Sequence, residues 1–239
     1  RTFRIAMETF RFKQFEVINE RSAMKVGTDG VILGAAVTLD PGDARILDAG
    51  TGTGVVALMI AQRSGDGTMI TGIDIDPAAA EEAAANFRNS PWAERLAAAN
   101  LPIQDCEGEF DLIISNPPYF DESLQNPDPE RTLARHTGTM SYRTLLDFAK
   151  DHLTADGRLS MILPTDRERD LMRYARMDGF FPFRILRIRT VARKEPMRMV
   201  VEFRRGRDHE LREEELIIQE KGRYTVQYTD LVKDFYLWA

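Results

Sequence analysis

The strongest constraint on how this chain folds is Ala44-Arg-Ile-Leu-Asp48-Ala-Gly50-Thr-Gly52-Thr-Gly54, which runs directly into Val55-Val-Ala-Leu-Met-Ile-Ala-Gln62. A short apolar run, a glycine-rich turn and a longer apolar run read as strand, tight bend and helix, the junction at which doubly wound parallel sheets hold nucleotides. The spacing narrows the ligand. Glycines at 50, 52 and 54 do not follow G-x-G-x-x-G, and the chain has no G-x-x-x-x-G-K-[ST] phosphate loop. Asp48, just before the bend, would repel a pyrophosphate and suits a cationic amino group. A second strand, Thr68 to Asp74, ends in a carboxylate about 20 residues on, where both hydroxyls of a ribose can be accepted.

The second constraint is Phe110-Asp-Leu-Ile-Ile-Ser-Asn116-Pro117-Pro118-Tyr119-Phe120, a buried strand ending in a stiff polar turn. Two prolines lock φ and lack N–H donors, so the turn offers acceptors. If the Asn116 side-chain oxygen faces a substrate amine, it and the Pro117 carbonyl can each take one N–H. Tyr119 supplies a flat face at the same mouth. Such a device holds a planar amine. The plainer reading is a strand-ending turn, for which Asn and Pro are ordinary residues.

Asp48 to Gly54, Asp74 and Asn116 to Tyr119, in this order, resemble the glycine motif, ribose-binding acid and amine-binding turn of class I S-adenosylmethionine-dependent methyltransferases that act on exocyclic amines. Phe12-Lys-Gln-Phe, Lys25-Val-Gly-Thr-Asp-Gly, Ser90-Pro-Trp-Ala and Asp234-Phe-Tyr-Leu-Trp are similar to the bacterial tRNA1(Val) adenine-N6 methyltransferase family. The resemblance spans nearly the whole chain. It implies a Rossmann-like α/β fold, a seven-stranded, mostly parallel sheet with an antiparallel last strand and helices on both faces. It also implies S-adenosylmethionine as cofactor, S-adenosylhomocysteine as product, no metal, and tRNA as partner, methylated at N6 of the purine 3′ of the anticodon.

By the same resemblance, Lys25, Thr28 and Asp29 line the methionine end of the cofactor. Asp48, Gly50, Thr51, Gly52 and Gly54 form its bend, Asp74 and Ile75 its ribose contact, Leu101 its adenine contact, and Asn116 stands beside the methyl. The catalytic set is Asn116, Pro117, Pro118 and Tyr119. One departure is visible. The family commonly places an acid where this chain has Pro102, which leaves Leu101 or Asp105 to meet the adenine. The Asn-Pro-Pro-Tyr turn is shared with enzymes acting on release-factor glutamine and ribosomal RNA adenine, so these substrates remain open. A non-catalytic RNA-binding protein is disfavoured by the intact turn.

At 239 residues and 43% hydrophobic content, the chain can bury one large core. We therefore expect a single domain over 1–239, with an extension over 1–40 that contributes to the cofactor pocket, a core over 41–205 and a last strand and helix over 206–239. One cysteine, Cys106, excludes an internal disulfide and is expected to be a packing residue, and three scattered histidines suggest no metal ligands. Without an apolar run of membrane-spanning length or a signal-peptide pattern, the expectation is a cytoplasmic protein with no membrane or DNA partner, monomeric or weakly dimeric.

The net charge of −6 speaks against bulk attraction to nucleic acid. Between Arg184 and Arg207, however, nine basic residues face two glutamates. This stretch reads as an RNA-phosphate surface or, alternatively, as the solvated face of edge strands. Tyr119, Arg135, Arg193, Lys194 and Arg198 are the candidate substrate contacts, with residues 120–140 read as a lid.

The remaining pattern predicts a strand or hairpin arm over Phe10 to Ile18 and a helix after Lys25 to Gly30 capped by Thr28 or Asp29. It predicts a helix from Tyr142 to Leu153 stopped by Asp156-Gly157, and one from Asp166 capped by Thr165 or Asp166. Two antiparallel strands, Phe180 to Thr190 and Met197 to Phe203, should close the sheet, and a helix over Tyr228 to Trp238 should pack its aromatics on the body.

Overall fold

Alternating apolar runs and glycine or proline turns become alternating strands and helices in the computed structural model, which describes residues 8–118 and 140–239. The N-terminal arm is an antiparallel hairpin of β1 (Thr9–Arg11) and β2 (Glu16–Ile18). Then follow α1 (Thr28–Ala36), β3 (Arg45–Ala49), α2 (Val55–Arg63), β4 (Met69–Asp74), α3 (Pro77–Arg88), β5 (Leu96–Asn100) and β6 (Phe110–Ser115). Beyond residue 140 come α4 (Tyr142–His152), β7 (Leu153–Pro164), α5 (Glu168–Met177), β8 (Phe180–Val191), β9 (Arg198–Arg205), β10 (Arg212–Glu220), β11 (Arg223–Tyr224) and α6 (Val226–Val232).

The main sheet runs β11-β10-β8-β9-β7-β6-β3-β4-β5. From β7 through β6, β3 and β4 to β5 every pairing is parallel, so these strands end at one edge. Alternation along them feeds two cores. Ile46, Leu112 and Ile114 join α1, α2, α3 and α6 on one face, while Leu47, Ala49 and Ile113 join α4 and α5 on the other. Each fully buried aliphatic side chain of this kind contributes about 1.5–3 kcal/mol.

Several expectations need correction. The sheet has nine strands among the described residues, not seven, and its antiparallel member β9 lies between β7 and β8. The additions are the short β11, antiparallel to β10, and β10 itself, parallel to β8, where Arg184 meets Glu214 at 2.5 Å and Arg189 meets Glu215 at 2.8 Å. Thr28 and Asp29 do not cap α1; its N-cap is Gly27, and the Asp29 carboxylate turns to Arg198 at 3.1 Å. Helix α4 stops at His152, because Leu153 already pairs with Phe110 and residues up to Gly157 bulge within β7. Helix α5 starts at Glu168 after a 3₁₀ turn over Thr165–Arg167. Helix α6 ends at Val232, after which Tyr236 bridges to Phe12 of the hairpin arm. Phe235 and Tyr236 are buried there as expected, and Trp238 stacks on Tyr236 with ring centroids 5.1 Å apart.

A buried polar network ties α1 to the sheet. Glu202 on β9 is fully buried and accepts from Thr38 N–H at 2.9 Å, Thr38 Oγ1 at 2.7 Å and Ser160 Oγ at 2.9 Å, with Arg184 at 3.1 Å. Arg158 and Asp43 form a second buried pair at 2.6 Å. Removing one partner of such a network leaves the others desolvated and uncompensated. Glu202→Ala is therefore expected to cost about 3–5 kcal/mol. Urea denaturation checks this, and a wild-type midpoint with an unchanged slope would show that Glu202 carries no such role.

Candidate active site

The first wall of the site is the bend after β3. Gly50, Gly52 and Gly54 all have positive φ, at 72°, 56° and 84°. At Gly54 the requirement is also steric, since a Cβ would come within 2.5 Å of the Phe87 ring. The amides of Gly50 and Thr51 both donate to the Ile73 carbonyl at 2.9 Å, which fastens the bend to β4. Asp74, at the end of β4, accepts from Gly52 N–H and Asp76 N–H, each at 2.9 Å. Its carboxylate is thus fixed in orientation while each oxygen keeps acceptor capacity.

Above this wall lies a cavity of about 240 Å³. Its lining includes an apolar slot of Ile75, Leu101, Pro102 and Ile103, the acid Asp74 with Gly50 and Gly52, and Met24, Pro118 and Met140. A smaller pocket of about 20 Å³ continues past Met24, Gly50 and Gly52 to Asp48, Gly30 and Asn116. The two pockets share Met24, Gly50 and Gly52, so the glycine bend borders both, and the proline-stiffened turn gives Pro118 to one and Asn116 to the other; together they form the recess. Parallel pairing explains this, since β3, β4, β5 and β6 all release their chains at the same edge.

Asp48 is 1% exposed and its Oδ2 accepts from Thr51 Oγ1 at 2.7 Å. Burial pushes its carboxyl up to about 7, with the Thr51 hydroxyl and a backbone hydrogen bond opposing the shift. A cation arriving beside such a carboxyl favours its ionised form. Burial also pushes the Cys106 thiol up, which suits a packing residue in the second core and not a nucleophile.

The residues expected from sequence fall into three groups. Lys25, Asp48, Gly50, Thr51, Gly52, Asp74, Ile75, Leu101, Asn116 and Pro118 line the recess. Gly54 and Pro117 do not line it, although Gly54 starts α2 and Pro117 lies between two residues that do. Thr28 and Asp29 also lie outside the lining, and Gly27 and Gly30 take their place. The Lys25 ammonium is engaged by the Asn19 and Glu20 carbonyls at 2.8 and 2.7 Å, so it braces a loop. Tyr119, Arg135 and the proposed lid over 120–140 fall outside the described residues, apart from Met140 at its end.

At the apolar slot, Asp105 is not a lining residue but Gln104 is. The Leu101 N–H already donates to the Asp74 carbonyl at 3.1 Å, which leaves Leu101 its side chain as a contact. Met24, Ser22 and Gln104 escaped the sequence reading, whereas Gly30 belongs to the segment expected at the methionine end and Met140 to the end of the expected lid. Only the position of Met24 next to Lys25-Val-Gly27 hinted at a role, because a methionine in a polar turn has no periodic pattern to mark it.

The basic stretch on β8 and β9 is partly neutralised. Arg184, Arg187, Arg189 and Arg198 pair with Glu214, Glu168, Glu215 and Asp29 at 2.5, 2.7, 2.8 and 3.1 Å. Arg204, Arg205 and Arg207 lie over the rings of Phe183, Phe180 and Phe181. Arg193 and Lys194 remain exposed in the β8–β9 turn, which sits at the active edge because Arg198 pairs with Pro164 at the end of β7. Four of the nine basic residues thus form a salt-bridge ladder, and Arg193 and Lys194 are the exposed cations of the stretch at the active edge. Among the described residues no helix is long and apolar enough to cross a membrane, and no group of three His, Cys, Asp or Glu side chains could hold a metal ion.

Comparison with known proteins agrees with this geometry. Residues 32–173 match the family model described as methyltransferase small domain. The tRNA1(Val) (adenine(37)-N6)-methyltransferase of Mannheimia succiniciproducens is 39% identical over 232 residues, covering 95% of this chain and 94% of the relative. The protein of the same name from Bacteroides thetaiotaomicron is 39% identical over 230 residues, 95% of this chain and 97% of that one. Among solved structures, a predicted O-methyltransferase of Agrobacterium tumefaciens aligns with a TM-score of 0.68 at 19% identity, over 87% of this chain and 96% of its own, and so shares the fold. With a glycine bend and an Asn-Pro-Pro turn on one recess and such relatives along almost its full length, the chain belongs to the family of the tRNA1(Val) (adenine(37)-N6)-methyltransferases, which are S-adenosylmethionine-dependent enzymes.

Proposed function

We propose that the protein methylates N6 of an adenine in tRNA, the purine 3′ of the anticodon, with S-adenosylmethionine as donor. The observation that carries this reading is the shared recess, in which Asn116 and Pro118 meet the bend of Gly50 and Gly52. The residues present fit the cofactor. The apolar slot of Ile75, Leu101 and Ile103 suits a purine, the oriented Asp74 a ribose, and Asp48 an ammonium group, over a bend with no side chain at Gly50 or Gly52.

The cofactor supplies an electrophilic methyl carried on a sulfonium. What the protein must do is prepare the amine. The lone pair of an adenine N6 is delocalised into the ring, so the nitrogen is a weak nucleophile until its N–H bonds are drawn out of plane. Asn116 Oδ1 and the Pro117 carbonyl accept those two hydrogens, and the two prolines keep the acceptors from relaxing. Alignment and placed dipoles supply the acceleration, with no strong base required. Tyr119, which follows the turn in sequence, would add base stacking worth about 1–3 kcal/mol. Arg193 and Lys194, at the edge where the recess opens, are the cations available to tRNA phosphates.

Purified protein assayed on bulk tRNA, ribosomal subunits and release factor separates the substrates, and methyl transfer to release factor alone would overturn the proposal. Asn116→Ala is expected to lower kcat by about 10²–10³, while S-adenosylhomocysteine binds within about twofold of wild type by calorimetry. A cation beside Asp48 favours its ionised form, so binding below the raised pKa must first expel a proton. Affinity for S-adenosylhomocysteine should therefore rise as pH increases, by about tenfold from about pH 5.5 to pH 7, and level off above the Asp48 value of about 7. Titrations at several pH values test this, and Asp48→Asn should flatten the slope.

A further inference from the structure

The Asn116 carboxamide presents an acceptor at one end and a double donor at the other, and only the oxygen can take a hydrogen from a target amine. Something must keep the group from turning round. In the structure Nδ2 lies 3.7 Å from the Met24 sulfur. A Cβ placed on Gly30 would lie 3.8 Å from the same nitrogen, so the first turn of α1 also borders the donor end. A thioether accepts and cannot donate. It therefore tolerates the amino end and disfavours the oxygen of a flipped amide.

Met24 is itself held by an unusually constrained loop. Glu82 on α3, 3% exposed, accepts from the N–H groups of Glu20, Arg21 and Ser22 at 2.9, 2.6 and 3.1 Å. Ser22 Oγ donates to the Met24 carbonyl at 3.0 Å, and Asn19 Oδ1 accepts from Val26 N–H at 2.9 Å. The Lys25 ammonium closes the loop on the Asn19 and Glu20 carbonyls. A flexible side chain such as methionine defines a position only if its backbone is fixed, and here both flanks are fixed.

We propose that Met24 is a positioning residue that reads the orientation of the Asn116 carboxamide and holds its oxygen toward the target amine. This rests on Asn116 acting as amine acceptor, and the test separates the two ideas. Met24→Leu keeps the volume and removes the acceptor, whereas Met24→Gln keeps the length and offers a carbonyl oxygen. The leucine variant should lose about fivefold in kcat, with KM for tRNA unchanged and affinity for S-adenosylhomocysteine falling by clearly less than kcat, because Met24 also borders the recess, and the glutamine variant should recover most of that loss. In ¹⁵N–¹H spectra the side-chain amide signal of Asn116, assigned by its loss in Asn116→Ala, should shift in the leucine variant.

That last readout needs no RNA, so a wild-type protein that methylates no tRNA would count against the proposed substrate and leave the positioning role to be decided by the spectra. An unmoved Asn116 amide signal in Met24→Leu would overturn the positioning role. So would a glutamine variant no better than leucine, or a fall in kcat matched by an equal fall in S-adenosylhomocysteine affinity.

Discussion

Everything about this site follows from β3 being paired in parallel on both sides. Asp48 sits opposite Gly72 of β4 and opposite Ile114 of β6. Adjacent strands lie about 4.8 Å apart. The glycine bend after β3, the Asp74 carboxylate after β4 and the Asn116 turn after β6 are therefore forced to the same edge, each one strand from the next. No side-chain contact has to bring them together. The glycine and proline turns then decide what occupies the space, because the first removes side chains from it and the second fills its rim with fixed acceptors.

Charge tells a different story in one dimension and in three. The run from Arg184 to Arg207 looks like a strongly basic surface because its partners are distant in sequence. Glu213, Glu214 and Glu215 arrive on β10 in parallel register with β8, and Glu168 and Asp29 arrive from helices. A half-exposed ladder of this kind contributes little stability pair by pair, yet like charges left unpaired on neighbouring strands would repel one another. The acidic strand β10 is thus the reason the basic strand β8 can lie inside the sheet and not at its edge. At the active edge, exposed positive charge of this stretch is left to the β8–β9 turn.

What was legible in the sequence was whatever is encoded over a few adjacent residues. The strand, bend and helix around Asp48 to Gly54, the acid at Asp74 and the turn at Asn116 to Pro118 all carry local signatures, and all line or shape the recess. The misses are non-local. Nothing near Thr28 says that Gly27 would serve as cap, since Asp29 is drawn away by Arg198 from the far side of the sheet. Nothing near Gln104 marks it as facing the recess, because a 3₁₀ turn over Ile103–Asp105 turns Gln104 in and leaves Asp105 out. The place of β9 between β7 and β8 is likewise a matter of pairing, invisible to the periodicity of either strand.

The segment before β3 belongs to the site as fully as the sheet does. Asn86 on α3 spans from the Ile18 backbone to the Thr53 carbonyl at 2.8 Å, and its neighbour Glu82, one turn away, clamps residues 20–22. One buried face of one helix thereby sets the height of the N-terminal loop over the glycine bend. Two buried polar groups on α3 are costly unless all their hydrogen bonds are met, and here the partners are backbone groups that would otherwise be orphaned in the loop. The arrangement contrasts with Asp48, whose burial raises its pKa and leaves its negative charge only partly compensated. The fold satisfies the acid that positions the loop and leaves the acid in the recess with a raised pKa, a contrast of the kind found where buried titratable groups cluster at functional sites.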